Sequence, residues 1–277
     1  MLPNFLILGA QKAGTSWLAA HLGQHPDIYL YPHEIHFFDK DYNFARGIGW
    51  YETHFSRAGN RAAVGEKTPD YLWANGQGGE GHLPEVHHHI RRYLPEARFL
   101  LSLRNPVERA ISAANHILRT GRVSPRFSID DLLIGRQKHL LAGHGVLEYG
   151  DYWQQLEAYF SLFREEQFLI LIFEEDILQN PHVGLRKACQ HVGVDPSFPF
   201  TQVEETENAY RYSRPRLFLN YYVPFLRRLT RPVDWFFPVQ KARPQRTTLE
   251  ALYARYAPEN EKLEQFLGRK LPVWSSG

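Results

Sequence analysis

The stretch FLILGAQKAGTSWLAAHL, Phe5 to Leu22, decides how the rest of the chain is read. Phe5-Leu6-Ile7-Leu8 is short and wholly apolar, the composition of a strand covered on both faces. From Thr15 to Leu22, the apolar residues Trp17, Leu18 and Leu22 fall on one stripe of a helix. Gly9 and Gly14 stand between, where a backbone can turn sharply and approach a ligand closely. Lys12 lies in the middle of that turn. Strand, glycine turn and helix start together make an anion cradle. The N–H groups of a first helical turn have no partner within the helix, and the helix dipole is positive there.

Outward from this stretch the pattern recurs. Ala62-Ala63-Val64, Phe99 to Leu103 and Phe168 to Phe173 are further short apolar runs, the last two flanked on both sides by helix-friendly sequence. Strands alternating with helices predict an α/β fold with a central, mainly parallel sheet flanked by helices. Tyr152, Leu156, Tyr159, Phe160 and Phe163 recur at three- and four-residue steps and predict a helix over 151–163. A closing amphipathic helix is expected over 249–267, and NGQGGEG, 75–81, reads as a surface loop. No repeat or linker divides the 277 residues, so a single domain, 1–277, is expected.

Composition narrows the function. An apolar share of 43% supports a sizeable core, and a net charge of only +2 argues against a general nucleic-acid binder. The single Cys189 excludes an intramolecular disulfide or a multi-cysteine zinc site, and it is expected to be buried. No apolar run approaches the roughly 18 residues of a membrane span. The first strand begins too early to leave room for a signal peptide, so a cytoplasmic protein is expected. His87-His88-His89 point in different directions around a helix and read as a solvated face; no metal is expected.

The glycine turn keeps the spacing of the nucleotide-binding pattern G-x-x-x-x-G-K-[ST] but moves the lysine two residues earlier, inside the loop. No clear acid ends the runs at Leu103 or Val64, where a Mg²⁺-holding aspartate would sit; Glu174 and Asp176 are the nearest substitutes. In LLSLRNPVERAISAANH, Arg104 stands at a strand tip, Pro106 falls at a helix start, and Ser112 follows about two helical turns on. Ligands of open parallel sheets bind at strand carboxyl ends, and an arginine with a hydroxyl there can grip a second phosphate. Nine arginines and lysines between Tyr210 and Thr248, Arg211 among them, face the single acid Asp234, which favours an anionic ligand over a merely solvated face.

These residues carry a resemblance. LGAQKAGTSWL resembles the 5′-phosphosulfate loop of sulfotransferases that use 3′-phosphoadenosine-5′-phosphosulfate (PAPS), and SLRNPVERAISAANH resembles their 3′-phosphate motif. PHEIHFFD, EKTPDYL, the block from GDYWQQLEAYFSLF to FLILIFEEDILQNP, and the tail YAPENEKLEQFLGRKLPVW are similar to the heparan-sulfate (glycosaminoglycan) branch. The similarity runs over nearly the whole chain and is weakest between Thr201 and Val239.

The resemblance implies PAPS as the donor, with Lys12 stabilising the leaving oxygen. Ala13, Gly14, Thr15, Ser16 and Trp17 would hold the 5′-phosphate, and Arg104 and Ser112 the 3′-phosphate. It makes Glu34 the general base, its pKa raised by an apolar wall of Phe37 and Phe38. His36 would share proton handling or orient the acceptor, Lys67 would lie near the reacting groups, and Asp39 would position Lys67 or an acceptor hydroxyl. Lys241 and Arg243 would come from a late loop closing over the donor. The branch often has a basic residue before the glutamate, whereas this chain has His33 after Pro32. The implied partner is a hydroxyl- or amine-bearing acceptor, saccharides included. A P-loop kinase-like phosphotransferase and a non-catalytic module binding an anionic ligand are the alternative readings.

Overall fold

The computed structural model describes residues 1–75, 81–204 and 212–275. Five strands, β1 (Phe5–Gly9), β2 (Ile28–Leu30), β3 (Ala63–Lys67), β4 (Arg98–Leu103) and β5 (Phe168–Ile172), form one sheet in the order β2-β3-β1-β4-β5. Every pairing in it is parallel. The helices of eight residues or more among the described residues are α1 (Thr15–Leu22), α2 (Val86–Tyr93), α3 (Pro106–Arg119), α4 (Tyr152–Phe160), α5 (Pro181–Val192), α6 (Arg214–Tyr222) and α7 (Arg246–Leu267). The α/β class with a parallel sheet is therefore as read, and the closing helix begins three residues earlier than expected.

Pleating explains why β1 is apolar throughout. Successive strand side chains point to opposite faces. Leu6 and Leu8 enter a core with Phe99, Leu101, Leu156, Tyr159 and Leu263, while Phe5 and Ile7 enter the opposite one with Leu18, Leu22, Leu185, Ala188 and Cys189. Both faces are thus dry. Cys189 is buried, as expected, and its thiol is pushed up to about 11 by burial. A third apolar cluster joins α3 to the 129–146 region and to Leu252 and Tyr256 of α7.

The chain leaves β1 for β2 and β3 on one side and crosses to β4 on the other, which makes β1 the switch point of the sheet. Crevices beyond the strand ends at such a point are where open α/β sheets bind ligands. The β1–β4 register slips by one residue between Ile7 and Gly9, and the Ala10 N–H then donates to the Ser102 carbonyl at 2.7 Å. A Cβ on Gly14 would fall 2.7 Å from the Phe173 ring, and its φ of +81° is itself left-handed, so a glycine is required there.

Two expectations are corrected. The run read at Ala62–Val64 continues to Lys67, because β3 pairs with β1 up to Ile7; Glu66 and Lys67 are strand residues. The histidine run is not a solvated face: His87 is buried, and His89 donates from Nδ1 to the Phe38 carbonyl at 3.2 Å while lying against Phe44. Residues 76–80 of the surface-loop stretch, and Arg211, lie outside the described residues. Among the described residues no helix is long and apolar enough to cross a membrane.

Candidate active site

An open cavity of about 580 Å³ lies at the end of β1. Lys12, Gly14, Thr15, Ser16 and Trp17 form one wall, Arg104 and Ser112 another, and Glu34, Phe173 and Lys241 also face it. Lys12 sits in the left-handed region at φ 70°, a conformation that side-chain-bearing residues adopt at an energetic cost, usually for a functional reason. Burial, with Arg119 nearby as the next cause, pushes its ammonium down to about 8. A cation so placed is short of counter-charge and suited to an anion.

Arg104 is held from several directions. The buried Tyr152 hydroxyl donates to the Arg104 carbonyl at 2.8 Å, and its guanidinium donates to the Lys12 carbonyl at 3.3 Å and lies over the Phe173 ring at 5.2 Å. Glu108, one turn on, is 3.6 Å from it. The following residue, Asn105, caps α3 by accepting from the N–H groups of Val107 and Glu108. The Asn105 N–H in turn donates to Glu174 at 2.9 Å, while Asp176 accepts from Ile172 and from Lys187. The two acids considered as Mg²⁺ ligands are therefore engaged in structural bonds.

Glu34 stands in a chain of charges. Lys67 donates to it at 2.7 Å and to the Ser16 hydroxyl at 3.3 Å. His36 Nε2 lies 3.5 Å from Glu34, and its Nδ1 is 3.0 Å from the fully buried Asp39. Burial opposes ionisation of Glu34, but the bonds from His36 and Lys67 outweigh it and hold the carboxyl down at about 2. For His36 the order is the same: burial works against the charge, and the carboxylates of Asp39 and Glu34 prevail, raising it to about 10. His36 is thus an imidazolium at neutral pH, an orienting donor to Glu34 rather than a proton acceptor. Asp39, His36 and Asp70 bring one ligand-type atom each within 4.8 Å of one another, but the imidazole Nδ1 is already bonded to Asp39.

Behind this chain lies a second carboxyl. Glu66 is fully buried and accepts from Tyr51 at 2.5 Å, Thr68 at 2.8 Å and Tyr71 at 3.1 Å; burial raises it to about 7. The Tyr71 oxygen also accepts from the Phe37 N–H at 2.8 Å, so β3 fixes the backbone that carries Glu34 and His36.

Residues 2–214 match the sulfotransferase domain model. The chain belongs to the sulfotransferase family. A crystal structure of a sulfotransferase from Alicyclobacillus acidocaldarius is similar at 26% identity with a TM-score of 0.72, covering 99% of either chain. The chain is 28% identical over 173 residues to mouse heparan sulfate glucosamine 3-O-sulfotransferase 5, covering 61% of this chain and 47% of that one. It is 36% identical over 115 residues to the membrane-associated sulfotransferase kil1 of Dictyostelium discoideum, covering 40% and 22%. The matched stretches thus span under half the length of either curated relative.

For this sulfotransferase-family chain, the structure brings most of the expected residues together and moves a few. Ala13 is buried, its N–H donates to the Ala10 carbonyl and its own carbonyl accepts from Ser102, so it supports the loop from below. Arg243 does not line the cavity; it pairs with Glu108 at 2.7 Å. Lys67 and His36 do not line it either, but each touches Glu34, which does. Phe37 and Phe38 turn into the core against Tyr51 rather than walling Glu34, and its pKa is depressed, not raised. Asp39 positions His36, not Lys67.

Asn115, His116 and Arg119 also line the cavity and were not singled out in the sequence. They follow Ser112 at helical spacings of three, four and seven, a signal that was available once α3 was known to start at Pro106. Asn115 clasps the Ala242 backbone with two bonds, 3.0 and 2.9 Å, and so fixes the segment bearing Lys241.

Proposed function

We propose that this chain is a PAPS-dependent sulfotransferase that moves a sulfuryl group to a hydroxyl or amine acceptor, a saccharide first among them. The observation that carries this is the convergence on one cavity of two cationic centres, Lys12 with the first turn of α1 and Arg104 with Ser112 and Arg119 on α3. That donor set fits a nucleotide with two separate anionic groups, and Phe173 and Leu217 offer apolar surface to a base. The lysine inside the loop, rather than after its second glycine, favours this donor over Mg-ATP. The relatives named as heparan sulfate glucosamine 3-O-sulfotransferases support a sugar hydroxyl as acceptor.

In such a reaction the sulfur–oxygen bond to the donor's bridging oxygen breaks as a bond from sulfur to the acceptor forms, and the acceptor loses a proton. Lys12 is placed to neutralise charge on the departing oxygen, a form of electrostatic stabilisation. The N–H groups opening α1 and the hydroxyls of Thr15 and Ser16 hold the neighbouring phosphate. Glu34 takes the acceptor's proton. With both cations on it the carboxylate is a poor base. Lys67 touches both Glu34 and Ser16, so an anion seated at the loop competes for that lysine. Loss of Lys67 removes one of the bonds that depress Glu34, so donor binding makes the base more basic.

Calorimetry with adenosine 3′,5′-bisphosphate and with Mg-ATP tests the reading. Metal-free binding of the bisphosphate is expected, weakened in Arg104→Ala by about 1.5–3 kcal/mol, the worth of a hydrogen bond to a charged group. Preference for Mg-ATP would make the chain a phosphotransferase instead.

A further inference from the structure

The segment following the cavity is built inside out. After α6 come two short helical turns, Pro224–Leu229 and Arg231–Trp235, and the ribbon of β6 (Tyr212–Ser213) with β7 (Val239–Gln240) closes the unit. Its uncharged polar groups Ser213, Asn220 and Thr230 are buried. Thr230 and Asn220 are buried and bonded to each other at 2.8 Å, and Asp234 accepts from the Ser213 N–H and pairs with Arg216. Its large apolar groups point outward. Phe225 and Trp235 are each 82% exposed, Phe236 78% and Leu229 73%, with Tyr222 and Phe237 also open to solvent. Scattered apolar residues on a surface are ordinary, but aromatic ones massed on consecutive turns mark an interaction face.

Charge says what covers that face. Between Tyr212 and Thr248 the sequence holds eight arginines and lysines and one acid. That acid, Asp234, is spent on Arg216, and Arg214 and Arg231 are exposed with no ion-pair partner among the described residues. Two copies of this chain meeting through the face would oppose like charges, which disfavours a homodimer. Exposed Trp, Phe and Tyr interleaved with arginine suit the headgroup level of an anionic bilayer, where the rings enter the acyl boundary and the guanidinium groups meet phosphates.

We propose that this face docks on an anionic lipid surface without spanning it. Tyr212, Leu217 and Lys241 of the same unit line the cavity, so docking sets the cavity mouth beside the bilayer and within reach of an acceptor held at the interface. The proposal does not depend on the identity of the donor.

Flotation of the full chain with vesicles tests it, comparing phosphatidylcholine alone with a mixture carrying about one third phosphatidylserine. The chain is expected to float with the anionic vesicles at least tenfold better than with neutral ones. Raising salt to about 0.5 M is expected to weaken that binding. Trp235→Ser with Phe236→Ser is expected to abolish it while leaving bisphosphate binding unchanged, since both side chains are exposed and neither lines the cavity. No flotation with either vesicle, equal flotation with both, or undiminished flotation of the double variant overturns the proposal. So does concentration-dependent dimerisation of the wild type that the double variant loses, which would make the face a contact between copies.

Discussion

The depressed pKa of Lys12 makes the pH dependence of anion binding a direct probe of the site. With a value of about 8, the side chain is about 90% charged at pH 7 and about 10% charged at pH 9. If the charged form is what holds the anion, affinity for adenosine 3′,5′-bisphosphate falls by up to tenfold over that interval, about 1.4 kcal/mol. The phosphates of the ligand have second pKa values near 6 and stay ionised throughout, so they add no slope of their own. Near pH 8 each bound bisphosphate takes up roughly half a proton, which calorimetry reads by comparing buffers of different ionisation enthalpy. Lys12→Met should bind more weakly at pH 7 and show a flat profile from pH 7 to 9. A flat profile in the wild type, or no proton uptake at pH 8, would refute the reasoning: Lys12 would then be neither desolvated nor in contact with the anion.

Other consequences follow from the same geometry. Glu34→Gln removes the proposed proton acceptor but not the nucleotide contacts; bisphosphate affinity should stay within about threefold while turnover drops by about 10² or more, and equal turnover would dismiss Glu34 as the base. Gly14→Ala places a Cβ 2.7 Å from Phe173 at a left-handed φ. It should cost about 1–3 kcal/mol in denaturant unfolding together with loss of bisphosphate binding. The folded Glu66 value of about 7 lies above the ordinary 4.5, so the folded state holds the extra proton between those values. Stability should therefore fall as pH rises from about 4.5 through 7 and be regained as it is lowered. Glu66→Gln should flatten that stretch of the thermal-midpoint profile, and an unchanged slope would mean that another group titrates there.

Much of this was written locally. The apolar run of β1, the glycine spacing and the stripe of α1 are properties of adjacent residues, and strand–turn–helix geometry follows from them by sterics and burial alone. Arg104, Pro106 and Ser112 were legible for the same reason, since one strand end and one helix place all three. The base role proposed for Glu34 rests on resemblance, and the direction of its pKa shift was misjudged. Its neighbours Lys67 and His36 act through space, and an apolar wall inferred from adjacency in HFF turned out to be core, because Phe37 stacks on Tyr51 and Phe38 meets the same ring edge-on.

The outer face of 222–237 shows the same division. The sequence displays the aromatics and arginines, but burial of Thr230 and Asn220 and the pairing of Asp234 with Arg216 decide that the apolar groups face out. The sequence by itself determined the class of fold, the anion loop and its lysine, because these depend on residues a few positions apart. The tertiary structure alone decided which charges meet at Glu34, that Ala13 and Arg243 stand outside the cavity, and that Asn115, His116 and Arg119 stand within it. Electrostatic coupling depends on distance in space, and that distance is set only when β1, β3 and α3 are brought together at the carboxyl ends of the strands.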